Sequence, residues 1–143
     1  KIRDEVYAEV NYHCCYSPQR MVRTDRWKYI RRFDDRRTPE MPQCDDSITK
    51  DHWMEEGWRD QLVSEERLYD LVFDPNETNN LTENAASQAT LTDMRNRLNQ
   101  WLEQTEDPIL NGPMIPHADA VVNDPDTNSA KDPSFPAREF LGI

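Results

Sequence analysis

A chain of 143 residues is the size of one ordinary domain, for which about 100 to 200 residues is usual, and its 36% hydrophobic content allows only a modest core. With 31% charged residues and a mean hydropathy of −1.00 it has no run of about 18 apolar residues, which excludes a bilayer-spanning helix. The net charge of −11 repels polyanions at long range and argues against free-standing nucleic-acid or heparin binding, although residues 1–37 hold ten Lys or Arg against six Asp or Glu and can still line a local anionic pocket.

The chain starts on Lys1, and Ile2–Val10 reads at once as strand, without the charged segment and apolar core of a signal peptide. It is expected to be a piece of something longer. Glu5–His13 sets Val6, Ala8, Val10 and Tyr12 against Tyr7, Glu9, Asn11 and His13, the alternation of a half-buried strand. Cys14–Gln19 reads as a loop, because Ser17-Pro18 favours an extended or turn conformation. Arg20–Phe33 is a basic, aromatic-rich hairpin: Met21, Val22, Trp27, Tyr29, Ile30 and Phe33 are strand formers, and Thr24-Asp25 reverses the chain. Arg23, Arg26, Lys28, Arg31 and Arg32 are expected on a solvated face.

Residues 34–65 break the pattern as an insertion. Ser47 or Thr49 can cap a short helix over Lys50–Glu56 that ends at Gly57, and Trp53 and Trp58 give the insertion something to pack with, a neighbouring domain being the natural candidate. Glu66–Leu71 is a further strand, closed by the turn Asp74-Pro75-Asn76-Glu77. Leu91, Met94, Leu98, Trp101 and Leu102 recur at steps of three and four, predicting a helix from near Ser87 to before Asp107-Pro108 across one sheet face. The segment 108–143 holds six of the ten prolines and has no periodicity, so it has no core of its own; Phe135, Phe140, Leu141 and Ile143 favour packing along a larger body. Asn76-Glu-Thr and Asn80-Leu-Thr match the glycosylation sequon, a pattern frequent by chance.

Three cysteines, Cys14, Cys15 and Cys44, do not make a disulfide scaffold, and adjacent Cys14 and Cys15 point to opposite faces of a continuing strand. His13 with these cysteines lacks the paired short spacing of structural zinc ligands, so inert thiols are the favoured reading and no metal site is assigned. Three separated histidines, His13, His52 and His117, do not specify a nucleophile beside a base, so no catalytic residue is assigned either.

The pattern Pro18-x-Arg20-x-Val22-Arg23-Thr24, then Trp27-Lys28-Tyr29-Ile30, then Glu66-x-Leu68-Tyr69-Asp70-Leu71-x-x-Asp74-Pro75-x-Glu77-x-x-Asn80-Leu81 resembles the C-terminal subdomain of the type I (formylglycine) sulfatases. The Tyr12-His13 pair and the helix end Trp101–Pro108 are similar to the N-sulfoglucosamine sulfohydrolase (heparan N-sulfatase) subgroup. The resemblance implies an α+β fold, a four-stranded antiparallel sheet with one long C-terminal helix, over residues 1–107 with 34–65 as an insertion; it is least from 109 onward, where composition alone makes 108–143 an irregular tail. It implies docking on an N-terminal catalytic domain of the alkaline phosphatase superfamily, where calcium and formylglycine would act on sulfated sugars such as heparan sulfate during glycosaminoglycan degradation. An exported or lysosomal setting is implied too. Cys15-Tyr-Ser-Pro-Gln-Arg20 departs from the family's C/S-x-P-S/A-R motif, because proline follows the cysteine by three positions and not two. The isolated chain is therefore expected to be inactive.

His13 and Arg20 are the substrate-pocket candidates. A titratable imidazole and a rigid guanidinium fork flank a proline-stiffened segment, a combination suited to anionic oxygens. The structural alternative is an exposed His13 without function and an Arg20 paired with an acidic residue. A stand-alone α+β binding module without catalysis is the alternative for the whole chain.

Overall fold

The computed structural model describes residues 3–143, so the Ile2 end of the first predicted strand lies outside the described residues. In chain order the elements are β1 (Val6–Tyr12), β2 (Tyr16–Arg23), β3 (Trp27–Arg32), α1 (Ile48–Glu55), β4 (Glu66–Asp70), α2 (Gln88–Gln104), β5 (Val121–Asn123), β6 (Ser134–Pro136) and α3 (Ala137–Leu141). Strands β1 to β4 form one antiparallel sheet in that order, and β5 and β6 form a second of two strands. The fold is α+β. The chain divides into two compact units, one of residues up to Val10 with Pro18–Phe33 and Glu65–Pro113, the other of Asn11–Ser17, Asp34–Ser64 and Met114–Ile143.

The first unit holds most of the sheet and the long helix. Val22 lies opposite Tyr29, and Tyr29 opposite Leu68, so the period-two rule puts all three on one face, where they are buried. Leu91, Met94, Leu98 and Leu102 of α2 are buried as well, each burial contributing about 1.5–3 kcal/mol. The hairpin closes at Thr24, whose N–H donates to Trp27 C=O (2.9 Å) while its Oγ1 accepts from Trp27 N–H (3.0 Å). Asn84 Oδ1 accepts from Ala86 N–H (2.8 Å) just before α2. At the other end Glu106 turns left-handed (φ 50°) and Asp107 N–H donates to Leu102 C=O (2.9 Å), the geometry that ends a helix ahead of proline. Asn80 replaces a missing strand beside β4: its Oδ1 accepts from Leu68 N–H (3.0 Å) and its Nδ2 donates to Glu66 C=O (3.0 Å).

Two expectations need correction, the loop before β2 and the exposure of Arg32, and the covered side of β1, which the alternation left open, is settled by Tyr7. The loop predicted over Cys14–Gln19 ends early, because β2 starts at Tyr16; Pro18 lacks a donor, yet its C=O still accepts from Phe33 N–H (2.9 Å), which keeps it in the ladder. In β1 it is the Tyr7 side that is covered: Tyr7 stacks on Trp101 of α2 at 4.9 Å and 6°, while Val6 and Val10 stay 46% and 37% exposed. Aromatic area on that side outweighs the small aliphatics of the other. Among the basic residues, Arg23 and Arg26 are exposed as expected, but Arg32 is buried opposite Gln19.

The second unit joins the insertion to the C-terminal segment. Ser47 caps α1 by accepting from Lys50 N–H (3.1 Å), and Gly57, at φ 82°, supplies the left-handed residue after it. Lys50 Nζ is buried and donates to Cys44 C=O (2.8 Å), Asn128 C=O (2.5 Å) and Asp46 (3.2 Å). Arg36 donates to Asp126 (2.8 Å), and Arg59 to Asp126 C=O (2.9 Å) and to the Asn128 side chain. Three cations thus thread a loop rich in oxygen acceptors. The C-terminal segment contributes Val122 and Ala137 to the buried set, with Ala137 N–H donating to Ala120 C=O (2.8 Å), while Phe135, Phe140 and Ile143 remain 44%, 40% and 50% exposed.

Glu66 joins sheet and helix, accepting from Arg95 Nε (2.8 Å), Arg95 Nη2 and the Tyr29 hydroxyl. The Arg95 bonds hold its carboxyl below the usual range. Glu66→Gln is expected to destabilise the chain at pH 7 by about 1–3 kcal/mol, the scale of a hydrogen bond to a charged group, read as a lower urea midpoint at unchanged slope.

Candidate functional site

His13 follows β1 in the second unit and is exposed. Its Nδ1 lies 3.0 Å from Gln43 Oε1, and the same oxygen accepts from Cys14 N–H (3.2 Å). The backbone donor fixes the oxygen end of the Gln43 amide at this point, so the network assigns the proton of the neutral ring to Nδ1. Nε2 has no partner among the described residues and is left as an acceptor. Cys14 Sγ is 3.5 Å from His13 Nδ1, and Cys14 C=O accepts from Asn123 N–H (2.7 Å), which anchors the corner to β5. Tyr12 and Tyr16 flank it with ring centroids 5.0 Å apart, and both reach Met114: Tyr12 donates to its C=O, and its N–H donates to Tyr16 Oη (3.2 Å). Burial, then Tyr16, pushes the Tyr12 phenol up to about 12. Cys15 is fully buried, and burial first, Glu40 second, pushes its thiol up to about 12.

Arg20 belongs to the first unit and has no solvent contact. Nε and Nη2 donate to the two oxygens of Asp107 (2.6 and 2.9 Å), Nη1 donates to Gln19 C=O (3.0 Å) and Val10 C=O (3.4 Å), and Glu9 lies 3.5 Å away. The Arg20 bonds hold the Asp107 carboxyl below its ordinary range. The two candidates therefore differ in kind: His13 offers an open ring nitrogen, whereas the fork of Arg20 is taken up inside the fold. The sequence marked Asp107 only as the stop of the predicted helix and did not mark Gln43 at all. Gln43 carried no signal, while the Arg20-x-Val22 spacing places the arginine on the same face as a core valine and so calls for a buried acidic partner without saying which.

Among the described residues no group of three His, Cys, Asp or Glu is placed to hold a metal, and His52 and His117 are exposed away from any such group.

No family model matches the chain, and no curated protein matches it in sequence. Solved structures do match. A 2-O GAG sulfatase, BT1596, superposes with a TM-score of 0.53 at 23% identity over 99% of this chain and 24% of its own. A Bacteroides thetaiotaomicron protein assigned to the sulfatases gives 0.55 at 21% identity over 92% of this chain and 24% of its own. BT4656, solved with its substrate D-glucosamine-2-N,6-O-disulfate, gives 0.50 at 18% identity over 78% of this chain and 17% of its own. The chain thus spans about a quarter or less of each of these three structures, and it has the fold of a segment of them.

Two outcomes follow from the geometry. In native protein at pH 8 Cys15 is expected to resist iodoacetamide, since a thiol titrating near 12 is protonated there; mass mapping after labelling checks this. Asp46 (about 2), Glu66, Asp70, Asp74 and Asp107 all have depressed native carboxyl groups. Their contribution is complete above the unfolded values near 4 and is lost as the pH falls through the native ones, so the melting temperature is expected to hold from about pH 5 to 7 and to drop below about pH 4.

Proposed function

We propose that this chain is the C-terminal portion of a formylglycine-type sulfatase that hydrolyses sulfate esters or N-sulfates of sugars, the catalytic domain lying elsewhere in a longer protein. The observation that carries the reading is the match to the 2-O GAG sulfatase over 99% of this chain but only 24% of that enzyme. The substrate bound by BT4656 and the sequence pattern from Pro18 to Leu81 support sulfated sugar as the class. The residues present do not fit calcium or a formylglycine precursor: no metal cluster occurs among the described residues, and Cys15-Tyr-Ser-Pro departs from the required spacing. Nucleophile and metal are therefore assigned to the remainder of the protein.

The part proposed for this chain is to form a wall of the sugar pocket. His13 presents Nε2 as an acceptor for a sugar hydroxyl, its ring held by Gln43. Arg20, in the other unit, is not assigned as a sulfate ligand, because Asp107 occupies its fork.

In the full-length protein, sulfate release from an N- or O-sulfated glucosamine is expected, and His13→Ala is expected to lower kcat/KM about tenfold, the worth of one hydrogen bond of ~1.4 kcal/mol, at unchanged melting temperature. The isolated chain should release no sulfate. An unchanged kcat/KM removes His13 from the pocket; absence of turnover on any sulfated sugar, in a protein lacking a C/S-x-P-S/A-R motif, overturns the sulfatase reading.

A further inference from the structure

At the hairpin end of the sheet, in the first unit, Val72 and Phe73 are 61% and 81% exposed although they follow a buried strand. They are held there. Asp70 C=O accepts from Phe73 N–H (3.1 Å) and Asp74 N–H (2.7 Å), Asp70 Oδ1 accepts from Val72 N–H (3.3 Å), and Leu71 N–H donates to Arg26 C=O (2.7 Å). Arg26 closes the patch. Its Nε and Nη2 donate to the Asp70 carboxylate (3.0 and 2.7 Å), and its Cζ sits 4.8 Å from the Trp27 ring and 5.4 Å from the Phe73 ring. The side chain is half exposed, and Nη1 has no partner among the described residues. A guanidinium fixed between two aromatic rings has given up its rotamer freedom in advance, so an incoming acceptor does not bear that loss.

We propose that Arg26, Trp27, Val72 and Phe73 form a protein-docking surface whose occupant is the remaining body of the longer protein, which meets Nη1 with a carboxylate set among apolar side chains. The proposal rests on the sulfatase reading above, since the match to enzymes about four times as long is what supplies such a body. Aromatic residues with arginine, centred on exposed apolar groups, are the composition that carries most of the energy of protein interfaces. One open guanidinium edge calls for one anion beside apolar surface. A densely sulfated polysaccharide is disfavoured by a chain of net charge −11.

Hydroxyl-radical footprinting of the full-length protein, with each residue normalised to its rate in urea, tests this. Loss of labelling at Trp27 and Phe73, to the level of buried Tyr29, is expected, and Phe73→Ser should restore labelling at Trp27 while Met94 of α2 stays protected. Labelling of Phe73 at its urea rate overturns the proposal. So does protection that vanishes when the protein is diluted to monomer, which would mean a second copy, or protection that appears only with a sulfated oligosaccharide. The readout does not use turnover: a full-length protein without sulfatase activity defeats the functional reading while the footprint still reports on docking.

Discussion

A guanidinium with no access to water has to find its charge and hydrogen-bond partners inside the protein, and Arg20 finds them in Asp107. That constraint reaches far along the chain. Arg20 lies on β2, a central strand, and Asp107 lies three residues past the last residue of the long helix, so one ion pair joins positions 87 residues apart. Asp107 is itself tied down at both ends, its N–H on Leu102 C=O and its carboxylate capping Ile109 N–H (2.9 Å). The pair sets where α2 ends over the sheet, and the Glu66 cluster with Arg95 and Tyr29 fixes the same helix a little over one turn downstream of Leu91. Buried pairs of this kind add little net stability compared with apolar residues of the same shape, but removing one partner strands a charge. Their value lies in specifying one arrangement.

Much of the first unit could be read from the chain. Period-two alternation over Arg20–Arg32, the Thr24 turn and the three-and-four spacing from Leu91 to Leu102 are local signals that tertiary packing reinforces, and the elements formed within a few residues of where those signals put them. The side of β1 that is covered was not legible, because alternation tells which residues share a face and says nothing of which face meets the helix; Trp101 decided that through Tyr7. Pro18 was read as part of an extended or turning loop, yet a strand tolerates it where only its carbonyl is called upon.

The second unit was hardly legible. Its strands β5 and β6 have three residues each, too few for any period to show. Its cohesion comes in part from Arg36, Lys50 and Arg59 reaching backbone carbonyls and a carboxylate around Asp126 and Asn128, and contacts across 67 to 90 residues between cationic side chains and loop oxygens leave no pattern in sequence. The same holds for the candidate site. His13 could be chosen for its chemistry, but the amide that orients it, Gln43, comes from an insertion with no feature to mark it.

The central physical claim is that Arg20 and Asp107 act as one unit, and a double-mutant cycle measures it most directly. Urea unfolding of Arg20→Met, Asp107→Leu and the double variant gives the coupling. The account predicts a loss of about 3–5 kcal/mol for each single variant and a double variant less damaged than the sum by at least ~2 kcal/mol, because the second substitution removes the stranded charge that the first creates. Additive losses would contradict it.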